Sequence, residues 1–127
     1  MRKGTFLALT AGAAVVATGL VATPAHAATG NGVCERGEFC VFRDTTGSVL
    51  WDSGRTDNSY SNDKYPRAGG TVQDTGSSVI NNTGRGVRIF KHGDQNGPGW
   101  NVPADGRRWN LSGTPVGNDA ASSHLFF

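Results

Sequence analysis

Oxygen-bearing side chains cluster in one stretch near the end of the chain, Asn118-Asp119-Ala120-Ala121-Ser122-Ser123. Its amide, carboxylate and hydroxyl groups are ligands that a hard cation such as Ca2+ prefers. The same Asp-x-x-Ser-Ser kernel lies 45 residues upstream, in Gln73-Asp74-Thr75-Gly76-Ser77-Ser78. A single kernel of this kind is common in turns, where Asp and Ser cap the backbone, but a repeated one predicts two metal sites. The predicted ligands are Asn118, Asp119 and Ser122 in one site and Asp74 and Ser77 in the other.

Short runs of β-branched and aromatic residues, separated by turns that carry Gly, fill the chain after residue 33. No long stretch keeps apolar residues at the i, i+3, i+4, i+7 spacing of an amphipathic helix. Short apolar runs between regular turns are typical of antiparallel sandwiches and barrels. We therefore predict an all-β fold. The predicted strands span residues 39–43, 49–51, 78–81, 87–91, 99–102 and 123–126.

The predicted strands and turns occur twice along the chain. Val41-Phe42-Arg43-Asp44 aligns with Ile89-Phe90-Lys91-His92, and each is followed by a Gly-bearing turn and a run that carries Trp. The aligned Phe precedes the Asp of its kernel by 32 residues in the first copy and by 29 in the second. We predict two similar units, at about residues 33–82 and 83–127. The first unit holds extra residues at 52–71, which we expect to form a long surface loop of the kind that often carries binding function.

The first 27 residues carry the three parts of a secretory signal peptide. A basic opening, Met1-Arg2-Lys3, is followed by an apolar run at 5–22 and by Ala25-His26-Ala27, which fits an Ala-x-Ala cleavage site. The alternative is a membrane anchor, because about 18 apolar residues are marginally long enough to span a bilayer. The Gly, Thr and Ala content and Pro24 argue against the anchor. We expect a secreted, extracellular protein whose residues 28–127 form a single domain without membrane contact.

Cleavage after residue 27 changes the charge of the protein. The full chain has 12 Lys and Arg against 10 Asp and Glu, but Arg2 and Lys3 leave with the signal peptide. The remaining 10 basic and 10 acidic residues give a formal net charge of zero. This balance lacks the basic excess typical of nucleic-acid-binding proteins, so we expect no nucleic acid partner. The remaining 100 residues have room for one small core, and we expect a monomer.

The chain has two cysteines, Cys34 and Cys40, just ahead of the first predicted strand. Export to an oxidising compartment favours a disulfide between them. The alternatives are a free thiol pair and a zinc site, but two cysteines without a nearby His are a poor zinc site. A disulfide across so short a loop would contribute about 2 kcal/mol. We expect its main effect to be fixing the start of the first strand.

Catalytic arrangements are missing from the sequence. His92 and His124 have no second His or Cys two to four positions away, where a shared metal site would place one. There is no Gly-x-Ser-x-Gly elbow, and the two Glu residues, Glu35 and Glu38, lie beside the cysteines rather than in an obvious acid/base pair. We predict that the protein is not an enzyme and that both histidines are surface or strand residues.

The repeated pattern resembles that of the βγ-crystallin superfamily. Each predicted unit has a hairpin that begins with an aromatic residue, Phe42 or Phe90, and a later Asp-x-x-Ser-Ser stretch. The pair Cys34 and Cys40 precedes the first hairpin of a small chain with a signal peptide. This combination resembles the bacterial proteins of peptidase inhibitor family I36, over residues 33–127. The resemblance implies two Greek-key units packed as a sandwich, and a proteinaceous inhibitor of extracellular metallopeptidases.

The same resemblance bears on the predicted calcium sites. Residues 118–123 fit the crystallin calcium pattern at every position, whereas Gln73 stands in the upstream copy where the pattern has Asn or Asp. In the superfamily the remaining ligands come from the first hairpin of the partner unit. The resemblance therefore implies that residues 44–46 complete the Asp119 site and that residues 92–94 complete the Asp74 site. With so few carboxylates per site, we expect weak binding, with dissociation constants of about 10⁻⁴–10⁻³ M.

Two functions of different classes remain open. The first is inhibition of a metallopeptidase by a preorganised loop, for which residues 52–70 are the first candidate and residues 93–99 the second. The second is a calcium-binding structural or extracellular binding module without inhibitory activity. Composition and spacing favour neither function, because only the family resemblance points to inhibition.

Overall fold

The computed structural model describes residues 29–127, so the predicted signal peptide and its cleavage site lie outside the described residues. Seven strands and one 3-10 helix are present in this part of the chain: β1 (Phe39–Phe42), β2 (Leu50–Ser53), the 3-10 helix (Tyr60–Asn62), β3 (Ser78–Asn81), β4 (Val87–His92), β5 (Asn96–Val102), β6 (Arg108–Asn110) and β7 (Ser123–Phe126). The six predicted strands are confirmed, and β6 is a strand that the sequence pattern did not predict. Within residues 29–127, no helix is long and apolar enough to cross a bilayer.

The strands form two antiparallel sheets. One strand of the second unit, β6, belongs to the first sheet. The first sheet has the order β2-β1-β3-β6 and the second the order β5-β4-β7. β6 follows β5 along the chain, yet it pairs with β3 of the first unit. In return, Asp57 of the first unit forms a bridge with His124 in β7 of the second sheet. The predicted fold class is therefore confirmed: the protein is all-β, with two interleaved Greek-key units forming a sandwich.

Alternation along each strand decides which side chains enter the core between the sheets. In β1, Phe39 and Val41 belong to the main core, whereas Cys40 and Phe42 belong to a smaller cluster on the outer face of the first sheet. Complete burial of a large apolar side chain stabilises a fold by about 1.5–3 kcal/mol. The main core comprises Phe39, Val41, Trp51, Tyr60, Tyr65, Val72, Val79, Val87, Ile89, Val102, Leu111, Val116 and Ala121.

The predicted disulfide between Cys34 and Cys40 is confirmed, with the two Cα atoms 5.9 Å apart. Cys40 is the second residue of β1, so the bridge fixes the segment ahead of the strand as expected. The bridge packs on the outer face of the first sheet with Phe42 and Leu50. Because the sandwich covers only one face of this sheet, the disulfide supplies apolar cover on the other face.

The connection at residues 52–71 differs from the predicted long surface loop. Its first two residues belong to β2, and its two tyrosines, Tyr60 and Tyr65, are almost completely buried. The ring of Tyr60 meets Trp51 edge-on at 5.0 Å, and the hydroxyl of Tyr65 lies 2.9 Å from Thr75 Oγ1. The prediction of a surface loop was wrong for these residues, because so small a sandwich uses the aromatic rings of a connection to fill its core.

Candidate functional site

The two Asp-x-x-Ser-Ser kernels enter equivalent strands, β3 and β7, and the first serine of each makes the same backbone bond. The Ser77 N–H donates to the Phe42 carbonyl at 2.8 Å, and the Ser122 N–H donates to the Phe90 carbonyl at 2.9 Å. These phenylalanines are the pair that the sequence alignment of the two units superimposes. Each kernel is therefore fastened to the first hairpin of its own unit.

The second serine of each kernel fixes the end of the same hairpin. The Ser78 hydroxyl donates to the Asp44 carbonyl at 2.6 Å, and the Ser123 hydroxyl donates to the His92 carbonyl, also at 2.6 Å. All four residues occupy equivalent positions in the two units. This matched pair of bonds explains why both kernels have a second Ser. Its hydroxyl donates to a backbone carbonyl at the end of β1 or β4 that would otherwise lack a partner.

The backbones of the two kernels bond to each other across the units. The Asp74 N–H donates to the Ala121 carbonyl at 3.1 Å, and the Asp119 N–H donates to the Gly76 carbonyl at 3.0 Å. Gly76 and Ala121 are themselves equivalent positions. The kernels thus lie side by side about an approximate twofold axis, and each places its Asp beside the serines of the other.

The side chains follow the same crossed arrangement. The Ser122 hydroxyl donates to Asp74 Oδ1 at 3.2 Å, and the Ser77 hydroxyl donates to Asp119 Oδ1 at 3.3 Å. Sequence analysis grouped Asp119 with Ser122, and Asp74 with Ser77, because those residues are neighbours in the chain. The structure brings together the opposite pairs, since the twofold arrangement sets each Asp against the kernel of the other unit. Asn118 lies beside Asp119 and is exposed.

Both aspartates have a left-handed backbone. Asp74 has φ of 58° and Asp119 has φ of 55°. A positive φ is uncommon for residues other than Gly, although Asp and Asn tolerate it better than most. The crossed backbone bonds hold both residues in this conformation. Its occurrence at two equivalent positions shows that the geometry of the kernel, and not a single turn, requires it.

A shallow depression of about 380 Å³ opens beside the kernels, and its lining includes Asp74, Asp119, Ser122, His92 and Gly93. His92 and Gly93 thus line the same depression as Asp74 and Asp119. That residues 92–94 complete a calcium site at Asp74 stays a prediction. Lys91 also lines the depression and brings a positive charge to it.

The charges of residues 43, 44 and 119 all affect the pKa of the Tyr65 hydroxyl. Burial raises the pKa of Tyr65. The hydrogen bond with Thr75 and the charge of Arg43 lower this pKa, and the charges of Asp119 and Asp44 raise it. Consecutive serines of one kernel connect the two regions, because the Ser77 hydroxyl binds Asp119 and the Ser78 hydroxyl binds the Asp44 carbonyl. That residues 44–46 complete a calcium site at Asp119 stays a prediction.

The oxygen ligands at the kernels are of the kind that a hard cation prefers, but they are fewer than the roughly 6–8 oxygens that Ca2+ takes. Each side offers one carboxylate and one serine hydroxyl, both of them oxygen ligands. Within residues 29–127, no three His, Cys, Asp or Glu side chains gather closely enough to hold a metal ion by themselves. Gln73 Nε2 donates to the Ser122 hydroxyl at 2.7 Å, so one donor oxygen of the Asp74 side is already engaged. The residues therefore suit a low-affinity Ca2+ site better than a tight one.

A buried histidine links the long connection to the last strand, which the sequence did not predict. His124 Nδ1 lies 2.7 Å from the Tyr60 hydroxyl, and Nε2 lies 2.7 Å from the Arg55 carbonyl. A carbonyl can only accept, so Nε2 carries the proton and Nδ1 accepts from the hydroxyl. Burial lowers the pKa of His124 to about 4, although the bond to Arg55 raises it. His124 is a strand residue, as predicted, and in its buried position it is neutral.

A second buried cluster holds the start of the described chain. Asp52 accepts three backbone N–H bonds, from Gly30 at 2.7 Å, Asn31 at 3.2 Å and Gly32 at 2.7 Å. Glu38 is also fully buried, and its Oε1 has no hydrogen-bond partner among residues 29–127. Burial, followed by the charge of Asp52, raises the pKa of Glu38 to about 7, while the N–H of Glu35 lowers it. Glu38 therefore keeps its proton up to about pH 7, and it lies beside Asp52, the carboxylate that binds the N-terminal segment.

The two antiparallel sheets have the fold of βγ-crystallin domains. It is similar to a structure from work on the evolution of the eye lens βγ-crystallin domain fold, with 20% identity, a TM-score of 0.57, and coverage of 72% of this chain and 86% of that chain. It is also similar to a βγ-crystallin from an archaeon, with 16% identity, a TM-score of 0.53, and coverage of 73% of this chain and all of that one.

The sequence itself identifies the family within this fold. The family model of peptidase inhibitor family I36 matches residues 27–102, and the chain belongs to this family. No match was found among curated proteins. The family is one of peptidase inhibitors, which agrees with the prediction that the protein is not an enzyme.

Proposed function

We propose that this protein is a secreted inhibitor of extracellular metallopeptidases. The observation that carries the proposal is its membership of peptidase inhibitor family I36, with a family match that covers most of the two-sheet scaffold. The first 27 residues, which have the composition of a signal peptide, support secretion. The restriction to metallopeptidases rests on the family resemblance alone and is therefore the part that an assay must decide.

The scaffold suits inhibition because it holds its loops in place. The long connection has no disulfide of its own, but the Tyr60 N–H donates to the Ser122 carbonyl at 2.9 Å and Asp57 bridges to His124. A loop that is ordered before binding loses less conformational entropy when it enters a peptidase cleft. The rigid sandwich therefore takes the place of the additional cross-links that a small inhibitor would otherwise need.

An enzyme assay tests the proposed function directly. Purified protein of residues 28–127 is expected to inhibit a thermolysin-type metallopeptidase at near-equimolar concentration and to leave trypsin-type and papain-type peptidases active. The residual activity of each peptidase is measured against inhibitor concentration. Full metallopeptidase activity at a high molar excess of the protein would refute the proposal. Inhibition of a serine or cysteine peptidase instead would show that the protein is an inhibitor of another peptidase class.

We infer calcium binding as a second candidate function, supported by the two left-handed aspartates in crossed Asp–Ser pairs. Calcium at ten times its dissociation constant is expected to raise the free energy of unfolding by about 1.4 kcal/mol. Asp119→Ala should abolish most of this gain, and Asp74→Ala should reduce it. The measurement is the melting temperature of each variant in millimolar calcium and in EDTA, so that any cost of the substitution itself cancels.

Asp105→Ala is the matched control, because Asp105 is an exposed carboxylate that binds Trp109 Nε1 and the Arg107 N–H instead of a kernel. This variant should keep the full calcium response. If the melting temperature of the unmodified protein is the same in calcium and in EDTA, the kernels are structural turns and the candidate fails.

A further inference from the structure

Residues 29–33 form an N-terminal arm, without helix or strand, that lies against the edge of the first sheet. The Gly30 N–H donates to the Asp52 carbonyl at 3.0 Å, so the arm covers part of the outer edge of β2. The Asp52 carboxylate accepts the consecutive N–H groups of Gly30, Asn31 and Gly32. The attachment of the arm therefore depends on the position of one buried carboxylate.

Glu38 lies beside this carboxylate and is completely buried. Its Oε2 accepts the Glu35 N–H at 2.8 Å, whereas its Oε1 has no hydrogen-bond partner among residues 29–127. Nearly all buried polar atoms in folded proteins are paired, because an unpaired one loses its bonds to water without replacement. The Oε1 atom of Glu38 therefore needs a partner that the bonds between ordinary donors and ionised carboxylates do not provide.

The Asp52 carboxyl group is the partner that the geometry offers. An ionised carboxylate has about four lone-pair sites and no donor, and the three N–H groups of the arm occupy three sites on Asp52, spread over both oxygens. A second carboxyl group bonds to the remaining site only if it carries a proton, because two ionised carboxylates both accept and repel each other. Since both Asp52 oxygens already accept, the proton belongs to Glu38.

The charges around Glu38 favour the same assignment. Burial is the largest cause that raises its pKa to about 7; the Glu35 N–H lowers this pKa, and the charge of Asp52, a hydrogen bond between the two side chains and the charge of Glu35 raise it. Both charges that act on Glu38 are thus negative and favour its neutral form. The cation that contacts the arm is Arg67, whose Nε donates to the Asn31 carbonyl at 3.3 Å.

We propose that Glu38 Oε1 donates a proton to the Asp52 carboxylate and that this shared proton is a pH-sensitive latch for residues 29–33. With the proton in place, Asp52 stays where it receives the three N–H groups of the arm. Loss of the proton leaves two negative charges side by side in the interior, which favours a state in which they move apart into water. Because Asp52 cannot move without releasing those N–H groups, the arm opens and uncovers the edge of β2. The latch is closed in mildly acidic solution and weakens as the pH rises towards 7.

Amide hydrogen exchange of residues 30–32 tests the latch in protein of residues 28–127. Protection factors, corrected for the intrinsic pH dependence of exchange, are measured between pH 5 and pH 8. In the unmodified protein they are expected to fall by about tenfold per pH unit up to pH 7 and then to level off, because opening of the arm releases one proton over this range. Protection that is independent of pH would overturn the proposal.

Glu38→Gln tests where the proton lies. The glutamine amide donates to Asp52 at every pH, as protonated Glu38 does, so the protection of residues 30–32 should no longer depend on pH. Glu35→Gln is the matched control, because Glu35 Oε1 accepts a bond from Asn31 Nδ2 at 2.9 Å, and a glutamine oxygen accepts the same bond. This variant should keep the tenfold slope of the unmodified protein. A slope that persists in Glu38→Gln would show that another group controls the arm and that the proposal is wrong.

Carbon NMR of the side-chain carboxyl groups tests the shared proton in the unmodified protein, whether or not Glu38→Gln folds. The Glu38 signal should titrate with a midpoint near 7, and the Asp52 signal should shift at the same midpoint because its carboxylate loses a bonded proton. A Glu38 midpoint near 4.5, or an Asp52 signal that does not respond when Glu38 titrates, would refute the shared proton.

Discussion

Replacement of His124 by alanine is expected to lower the free energy of unfolding by about 4 kcal/mol. The ring is fully buried among aromatic side chains, 4.8 Å from Phe39 and 5.6 Å from Tyr60 between ring centres. Its loss leaves a cavity and also leaves the Tyr60 hydroxyl and the Arg55 carbonyl without their partner. Urea denaturation at pH 7 in EDTA measures the change. His92→Ala, at an exposed histidine, should cost less than about 0.5 kcal/mol, and a similarly small cost at His124 would contradict this account.

The same residue gives a pH dependence with a definite sign. The pKa of His124 is lowered from 6.5 to about 4 in the folded protein, chiefly by burial. The unfolded chain therefore binds a proton that the folded chain excludes, and the stabilising contribution, present above pH 6.5, is lost as the pH falls towards 4. The free energy difference between the unmodified protein and His124→Ala should narrow by about 3 kcal/mol over this range. A difference that stays constant with pH would show that His124 is not neutral and buried.

Replacement of Asp52 by alanine is expected to lower the free energy of unfolding by about 3 kcal/mol. The substitution removes one carboxylate that accepts the N–H groups of three residues, 30, 31 and 32, which lie 20 to 22 positions away in the chain. Denaturation measures the loss, and faster cleavage near residue 32 by a nonspecific peptidase reports release of the segment. Asp57→Ala, which removes a carboxylate that accepts the N–H of the nearby Ser59, is the comparison and should cost less. Equal losses for the two variants would contradict a special role for Asp52.

Glu38, next to Asp52, acts on stability in the opposite direction to His124. Its pKa is raised from 4.5 to about 7, first by burial and then by the charge of Asp52. The folded chain therefore holds a proton that the unfolded chain releases, so the contribution of Glu38 is fully present below pH 4.5 and is lost as the pH rises through 7. Burial and Asp57 raise the pKa of Asp63 to about 6, which acts in the same direction. The pH ranges over which His124 and Glu38 act overlap, and their effects on stability oppose each other. The free energy of unfolding of the unmodified protein is therefore expected to change less with pH than that of His124→Ala or Glu38→Gln.

Much of the local structure followed from the sequence alone. Short runs of β-branched and aromatic residues between Gly-bearing turns predicted six strands, because such residues favour strands and the turns mark where each strand ends. The two cysteines of a chain expected to be exported, Cys34 and Cys40, predicted the disulfide. The repeated kernel marked two equivalent positions, Asp74 and Asp119. All these features depend on residues that are close in the chain, where type and spacing are sufficient.

The interactions that build the candidate surfaces depend on contacts between residues far apart in the chain. β6 is only three residues long and begins with an arginine, so its pattern does not resemble a strand. It becomes one because the edge of β3 is available to it. That exchange brings Arg108 to a loop 61 positions away. The same interleaving of the two units sets Asp74 against Ser122 and Asp119 against Ser77, and it buries His124 against Tyr60. A linear pattern records the residue types that favour each element, but which partner satisfies each polar group is settled only when the two units pack together.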